Sequence, residues 1–284
     1  IRFFQRGANY LSDQLLSRMT HDRYKKDLAL VKEANLNTIH PFCILERQIF
    51  YDQCDEEGVL VYQDFPMWMT MSNESEFVRR AVAQVAEMTE QFGHHPSIAI
   101  WNMGSQPSPA NFEKLNSALV YTVKQADPSR IVKQGNASVA FEGNPVHSHG
   151  SFFWDPALLE QYAQVFDWRS DLHLYFGWYM GEKEDLAQMP DSYYQLVTEF
   201  GAQSLPRKET LEKIIGSDDL FPPDWKKLSL HCAQEERLIE RAGDFKNIDE
   251  LIMATQQYQA ELVRYHIEFY RRRKFKPCNG AHVF

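Results

Sequence analysis

Short apolar runs alternate along this chain with longer segments in which apolar residues return every three or four positions. Eight runs, rich in Val, Ile, Leu and Phe, predict strands: Phe3–Asn9, Leu36–His40, Val59–Asp64, Ser97–Met103, Ile131–Gly135, Asp171–Tyr175, Gln195–Phe200 and Gly280–Phe284. Their centres are apolar at successive positions, which suits strands covered on both faces. Between them Tyr24, Leu28, Val31 and Ala34 recur at helical spacing. So do Phe77, Val78, Ala81, Val82, Val85 and Phe92, after Asn73 as a cap with Glu76 three residues on. Ser108-Pro109 offers a cap and a first-turn proline for the next helix, and the last helix runs from about Ile248 to Arg273.

This alternation predicts parallel β/α units, and eight of them predict an α/β fold of the (β/α)8 TIM-barrel type spanning residues 1–284 as one domain. An open doubly wound sheet is the alternative. No Gly-x-Gly-x-x-Gly turn follows the first strand, so a dinucleotide site has no support. Two insertions exceed a simple connection. One is Asn136–Ser170, rich in His, Gly and aromatics, including His147, His149 and Trp154. The other is Gly216–Leu228. The first follows a strand tip and is placed to roof a site.

Composition narrows the partners. A net charge of −9 argues against a nucleic-acid backbone. The one strong basic run, Arg271-Arg272-Arg273-Lys274, ends a helix, where cations suit the dipole. No run is long enough to span a bilayer. Cys43, Cys54, Cys232 and Cys278 show no metal or redox spacing, so reduced thiols and no metal or other cofactor are expected. The chain begins and ends in strand-like sequence, as a barrel excised from a longer protein would. Cytoplasmic, periplasmic and secreted settings, and a homo-oligomer, all stay open.

Candidate chemistry collects at strand ends, where a parallel barrel keeps its active site. The seventh run ends in Thr198-Glu199-Phe200-Gly201, with a carboxylate at its tip. The fourth is followed by Gly104-Ser105-Gln106. Cleaving a glycosidic bond with retention needs one carboxylate to attack the anomeric carbon and a second group to protonate the leaving oxygen. Glu199 fits the first role, and Gln106 stands where the second would be.

These segments resemble the catalytic barrel of glycoside hydrolase family 2, which includes β-mannosidases, β-galactosidases, β-glucuronidases and exo-β-glucosaminidases. His95-Pro96-Ser97-Ile98-Ala99-Ile100-Trp101 through Gln106 follows the family's His-Pro-Ser…Trp…Asn-Glu frame. Thr198-Glu199-Phe200-Gly201-Ala202-Gln203 is similar to its nucleophile motif. Asp55–Phe65, Arg6–Tyr10 and Thr255–Glu261 resemble further segments, the last two those of the mannosidase-like branch. The resemblance implies a retaining exo-acting β-glycosidase with flanking β-sandwich domains and a β-linked oligosaccharide or glycoside as partner. It makes Glu199 the nucleophile and position 106 the acid/base. It implies that Tyr175 and His40 hold Glu199, His40 standing where an arginine is usual. Asn9, Asp64 and Ser105 would bind sugar hydroxyls, Asn9 and Asp64 having loop amides as the alternative partners. Apart from the resemblance, Trp68 and Trp178 follow strand tips and would either offer aromatic faces to the sugar or pack in core or loop.

The family's Asn-Glu pair is here Ser105-Gln106. An amide cannot move a catalytic proton, and general acid–base help is worth roughly 10²–10⁴-fold. Three readings of Gln106 follow. It is an engineered substitution; or the protein is a carbohydrate-binding pseudo-glycosidase; or the donor has a leaving group that departs unprotonated, as in plant thioglucosidases, which the pattern resembles. A transglycosylase using activated donors tolerates Gln106 too. Glu46, after the second strand, is either a substitute acid or a helix-start charge.

Overall fold

The computed structural model describes residues 2–69, 71–106, 111–138, 171–189, 191 and 195–284. Nine parallel strands form one sheet: β1 (Gln5–Tyr10), β2 (Thr38–Pro41), β3 (Leu60–Asp64), β4 (Ile98–Asn102), β5 (Ile131–Lys133), β6 (Ala137–Ser138), β7 (Leu172–His173), β8 (Val197–Phe200) and β9 (Gly280–Val283). Their lateral order is β5-β4-β3-β2-β1-β9-β8-β7-β6. The two outermost strands, β5 and β6, are consecutive pieces of one stretch of chain, separated only by residues 134–136. One interrupted strand therefore stands at both ends of the order, and the sheet is a TIM barrel, as the strand pattern predicts. The added piece, β6, is too short to register as an apolar run.

Helices α1 (His21–Glu33), α2 (Gln48–Glu57), α3 (Ser75–Phe92), α4 (Ser117–Ala126), α5 (Lys208–Ile215), α6 (Trp225–Ser229), α7 (Glu235–Ala242) and α8 (Ile248–Arg272) cover the strands. In α3 the buried side chains Ala81, Val85, Met88 and Phe92 lie on one stripe at helical spacing. They pack into a cluster with Ile39, Val61, Ile98, Leu119 and Val123, which joins sheet to helices around the first half of the chain. Burying each such side chain contributes about 1.5–3 kcal/mol. In the second half, Leu211, Leu238, Leu251 and Leu262 from α5, α7 and α8 form a separate cluster. The N-cap of α1 is Thr20 and that of α8 is Asn247, whose side chains accept from Arg23 N and Glu250 N.

Asn73 does not cap α3. Glu74 holds that position without a side-chain bond. Asn73 instead accepts from Asn111 Nδ2 at 3.1 Å and, through its carbonyl, from Lys114 Nζ at 2.7 Å. Its side chain ties the loop after β3 to the segment after β4. Ser108-Pro109 lies outside the described residues. Gly7 answers to a close approach: a Cβ there would sit 2.2 Å from the ring of His282, which fills the barrel interior beside it.

Candidate active site

Strand register sets the first part of the site. Asn9 pairs laterally with His40, Asp64 with Asn102, and His173 with Glu199. Residues in register on neighbouring parallel strands point to the same side. A ring of polar side chains thus meets at the C-terminal ends of the strands.

Glu199 is nearly buried, 4 % exposed. Its Oε2 accepts from Tyr175 Oη at 2.9 Å and lies 3.1 Å from His173 Nδ1. Its Oε1 has no partner among the described residues. Burial pushes the Glu199 carboxyl up to about 8; the Tyr175 hydrogen bond opposes this, and the charges of Asp64 and Asp171 add to it.

Gln106 sits four residues beyond the end of β4, in the left-handed region, φ +50°. Its backbone is nonetheless anchored, since Gln106 N donates to Asn136 O at 2.9 Å, Ser105 N to Met67 O at 2.9 Å, and Met69 N to Ser105 O at 2.9 Å. Trp68 Nε1 donates to Gln106 Oε1 at 3.3 Å. The indole nitrogen can only donate, so the atom it meets is the amide oxygen. The amide nitrogen then faces His173 Nδ1 at 3.0 Å and donates to it.

His173 therefore joins the two tips. Burial and the neighbouring His40 hold its imidazole well below the usual histidine range, so it is neutral. Its Nδ1 receives the Gln106 amide, so its proton sits on Nε2. Glu199 faces a lone pair at that nitrogen rather than a donor, which disfavours the carboxylate in the same direction as burial does.

The other predicted residues divide. Asp64 is fully buried, accepting from Asn102 Nδ2 at 2.7 Å and from Cys43 N at 3.0 Å. His40 Nε2 lies 2.9 Å from Asp64 Oδ1, off the line of a hydrogen bond, and its ring packs 4.4 Å from that of Tyr62. Asp64, not Glu199, is the carboxylate His40 meets, because its register neighbours are β1 and β3 rather than β8. Asn9 Nδ2 donates to Thr198 O at 2.8 Å, while Asn9 Oδ1 and Ser105 Oγ are buried without a partner among the described residues. Trp68 is 45 % exposed at the mouth. Trp178 offers no platform: it is buried at 3 % exposure, packed with Ala202, Leu205 and Leu262, because the turn after β7 tucks it under α8. Glu46 stands at a helix start, directly before Arg47, the N-cap of α2. It is buried and accepts from Tyr24 Oη at 2.6 Å. His147, His149 and Trp154 lie outside the described residues.

Sequence reasoning missed His173, Asp171, Tyr62 and His282. Asp171 accepts from Thr198 Oγ1 at 2.6 Å and from the Tyr62 hydroxyl. His282 Nε2 meets Gln5 Oε1 at 2.9 Å. The available signal was polar residues inside runs otherwise apolar throughout. No group of three or more His, Cys, Asp or Glu among the described residues is arranged to hold a metal ion.

A family model described as glycosyl hydrolases family 2, TIM barrel domain, matches residues 12–276. Mouse β-mannosidase is 26% identical over 314 residues, covering 98% of this chain and 34% of its own length. β-Mannosidase B of Thermothelomyces thermophilus is 30% identical over 240 residues, covering 77% and 27%. The chain thus spans about a third of the curated relatives it matches. Among solved structures, the β-D-mannosidase of Dictyoglomus thermophilum superposes with a TM-score of 0.78 at 23% identity, over 100% of this chain and 35% of that one. The β-glucuronidase of Parabacteroides merdae does so at 0.62 and 16%, over 99% and 31%. At these identities the structural likeness carries the fold.

Proposed function

The chain belongs to glycosyl hydrolase family 2 through its TIM-barrel domain, and from that premise we propose that it is the catalytic barrel of a retaining, exo-acting β-glycosidase of the β-mannosidase-like kind. The observation that carries this reading is the single nitrogen, His173 Nδ1, that both Gln106 and Glu199 touch. Sharing it bounds the nearest approach of the two side chains below the ~6.5 Å at which inverting carboxyl pairs begin, and leaves the retaining spacing. The named mammalian and fungal relatives, all β-mannosidases, favour that sugar.

In this mechanism Glu199, once ionised, attacks the anomeric carbon of a β-linked sugar and forms a glycosyl ester. Tyr175 orients its Oε2 and leaves Oε1 unpartnered toward the reacting carbon. Asn9 Oδ1 and Ser105 Oγ, buried and without protein partners among the described residues, are suited to receive sugar hydroxyls, with Asp64 and His40 beside them. Gln106 occupies the acid/base position and supplies no proton, so glycosides with poor leaving groups turn over slowly. The same amide favours a second reading, a carbohydrate-binding pseudo-glycosidase in which Glu199 stays protonated.

The deciding experiment is covalent labelling of the complete protein with 2-deoxy-2-fluoro-β-glycosyl donors bearing a dinitrophenyl leaving group, across manno, gluco, galacto and glucurono series. Mass spectrometry should find one sugar attached at Glu199, lost in Glu199→Gln. Sugar binding without any adduct at alkaline pH overturns the hydrolase reading in favour of the second.

A further inference from the structure

We propose that the leaving-group side of this site takes an aromatic aglycone, so that the donor is an aryl β-glycoside whose phenolate departs without protonation. This rests on the retaining reading above and names the class of substrate for the same site.

Two independent observations point there. The first is that, among the described residues, no free acid stands beside position 106. Both ends of the Gln106 amide are committed, the oxygen to Trp68 and the nitrogen to His173. The nearby acids are occupied as well. Asp64 accepts from Asn102 and Cys43, Asp171 from Thr198 and Tyr62, and the Tyr175 hydroxyl serves Glu199. An aliphatic leaving oxygen, close to water with its pKa of about 16, would depart as a bare alkoxide. A phenol like the tyrosine side chain has a pKa of about 10 and leaves far more readily as its anion.

The second is what surrounds position 106. Trp68, bonded to Gln106, exposes its indole at the mouth. Phe42 stands edge-on to it with ring centroids 6.5 Å apart, and Phe284 stands edge-on to Phe42 at 5.4 Å. Phe284 is exposed and Phe42 half-buried. The row runs from the loop after β3, over the tip of β2, to the end of β9. The rings stand edge to face along this row, so the exposed indole presents an aromatic face beside Gln106. Aromatic faces of this kind prefer another ring, offset or edge-on.

The chemistry balances without a further reactant. The Glu199 oxygen forms a bond to the anomeric carbon as the carbon–aryloxide bond breaks, and the electron pair leaves on the phenolate, which solvent protonates. Water then attacks the same carbon, the ester bond to Glu199 breaks, and the water's proton passes to solvent.

The test uses the complete protein and the sugar that labels Glu199. It compares kcat/KM for dinitrophenyl, nitrophenyl and phenyl glycosides with the glycosyl fluoride, which needs no acid and carries no ring. Wild type should show a steep fall with rising phenol pKa. Trp68→Ala should lose about ten-fold on every aryl donor and little on the fluoride; Phe42→Leu, which keeps the indole, should lose less in the same pattern. Equal losses on aryl donors and fluoride overturn the aglycone proposal while leaving the retaining reading intact. A fluoride turned over no faster than by Glu199→Gln overturns the retaining reading. Binding then still decides the subsite, since phenyl glycosides should quench tryptophan fluorescence at lower concentration than methyl glycosides, and equal concentrations for the two overturn it.

Discussion

The two strand tips of this site are built in opposite ways. Glu199 lies within a ladder: its position follows from the register of β7 and β8, its oxygen is held by Tyr175, and almost none of it reaches solvent. Gln106 lies past the end of its strand, in a left-handed backbone conformation, steadied by single bridges to the loops at Met67–Met69 and at Asn136. On the proposed reading, the group that would attack is therefore fixed by the fold itself, whereas the leaving-group side is fixed by loops. A loop-held position can change its chemistry with little cost to the barrel, and here it carries an amide.

The largest effect that would break this contrast is at the ladder. Glu199→Gln should lower turnover of activated donors by roughly 10⁴-fold or more, measured as dinitrophenolate release. The same substitution should stabilise the fold, and the sign follows from the proton count. Folded Glu199 keeps its proton up to about pH 8, whereas the unfolded chain loses it near pH 4.3. Stability thus falls as pH rises between these values and levels off above them. The melting temperature of Glu199→Gln should match wild type near pH 4 and exceed it increasingly toward pH 8. For wild type, turnover of activated donors should rise with pH through about 8, as the attacking carboxylate forms.

At the loop-held tip, Gln106→Glu should raise kcat on alkyl glycosides by roughly 10²–10⁴-fold and change dinitrophenyl donors little. An equal gain on both would mean that position 106 acts on Glu199 rather than on the leaving group. Tyr175→Phe should cost about ten- to a hundred-fold in kcat, the value of a hydrogen bond to a charged group. It should also move the pH midpoint upward, because the tyrosine hydroxyl is what opposes the raised Glu199 value. The smallest effect is expected at Asn111, whose amide clasps both backbone groups of Met71 at 2.9 and 3.0 Å. Asn111→Ala should cost about 1–3 kcal/mol of stability and weaken aryl donors more than the fluoride, since it frees the loop that carries Trp68.

Much of this was legible in the residues. The apolar runs located the barrel strands because parallel strands covered on both faces need them, and Glu199 and Gln106 were read from their places at run ends. Tyr175 was placed on Glu199 by resemblance, and that is where it lies. His173, Asp171, Tyr62 and His282 were harder to see. A barrel interior is polar near its mouth, so a side chain wholly shut from water carries the same letters as one facing solvent. His40 was assigned to Glu199 by the resemblance, in an arginine's place; the carboxylate its imidazole meets is instead Asp64, on the adjacent strand β3. Trp178, following a strand tip, read as either a platform or packing, and it is packing, on a turn that folds beneath α8.

The posture of Gln106 has a consequence for inheritance. Glutamine and glutamate share one shape, and their codons differ by a single base. The indole of Trp68 would serve a carboxylate oxygen as well as an amide one. Only the proton on the His173 ring need change nitrogen to greet the other. Gain or loss of a proton donor at this tip is thus one nucleotide away, with the barrel, Glu199 and the aromatic row passing through the change unaltered.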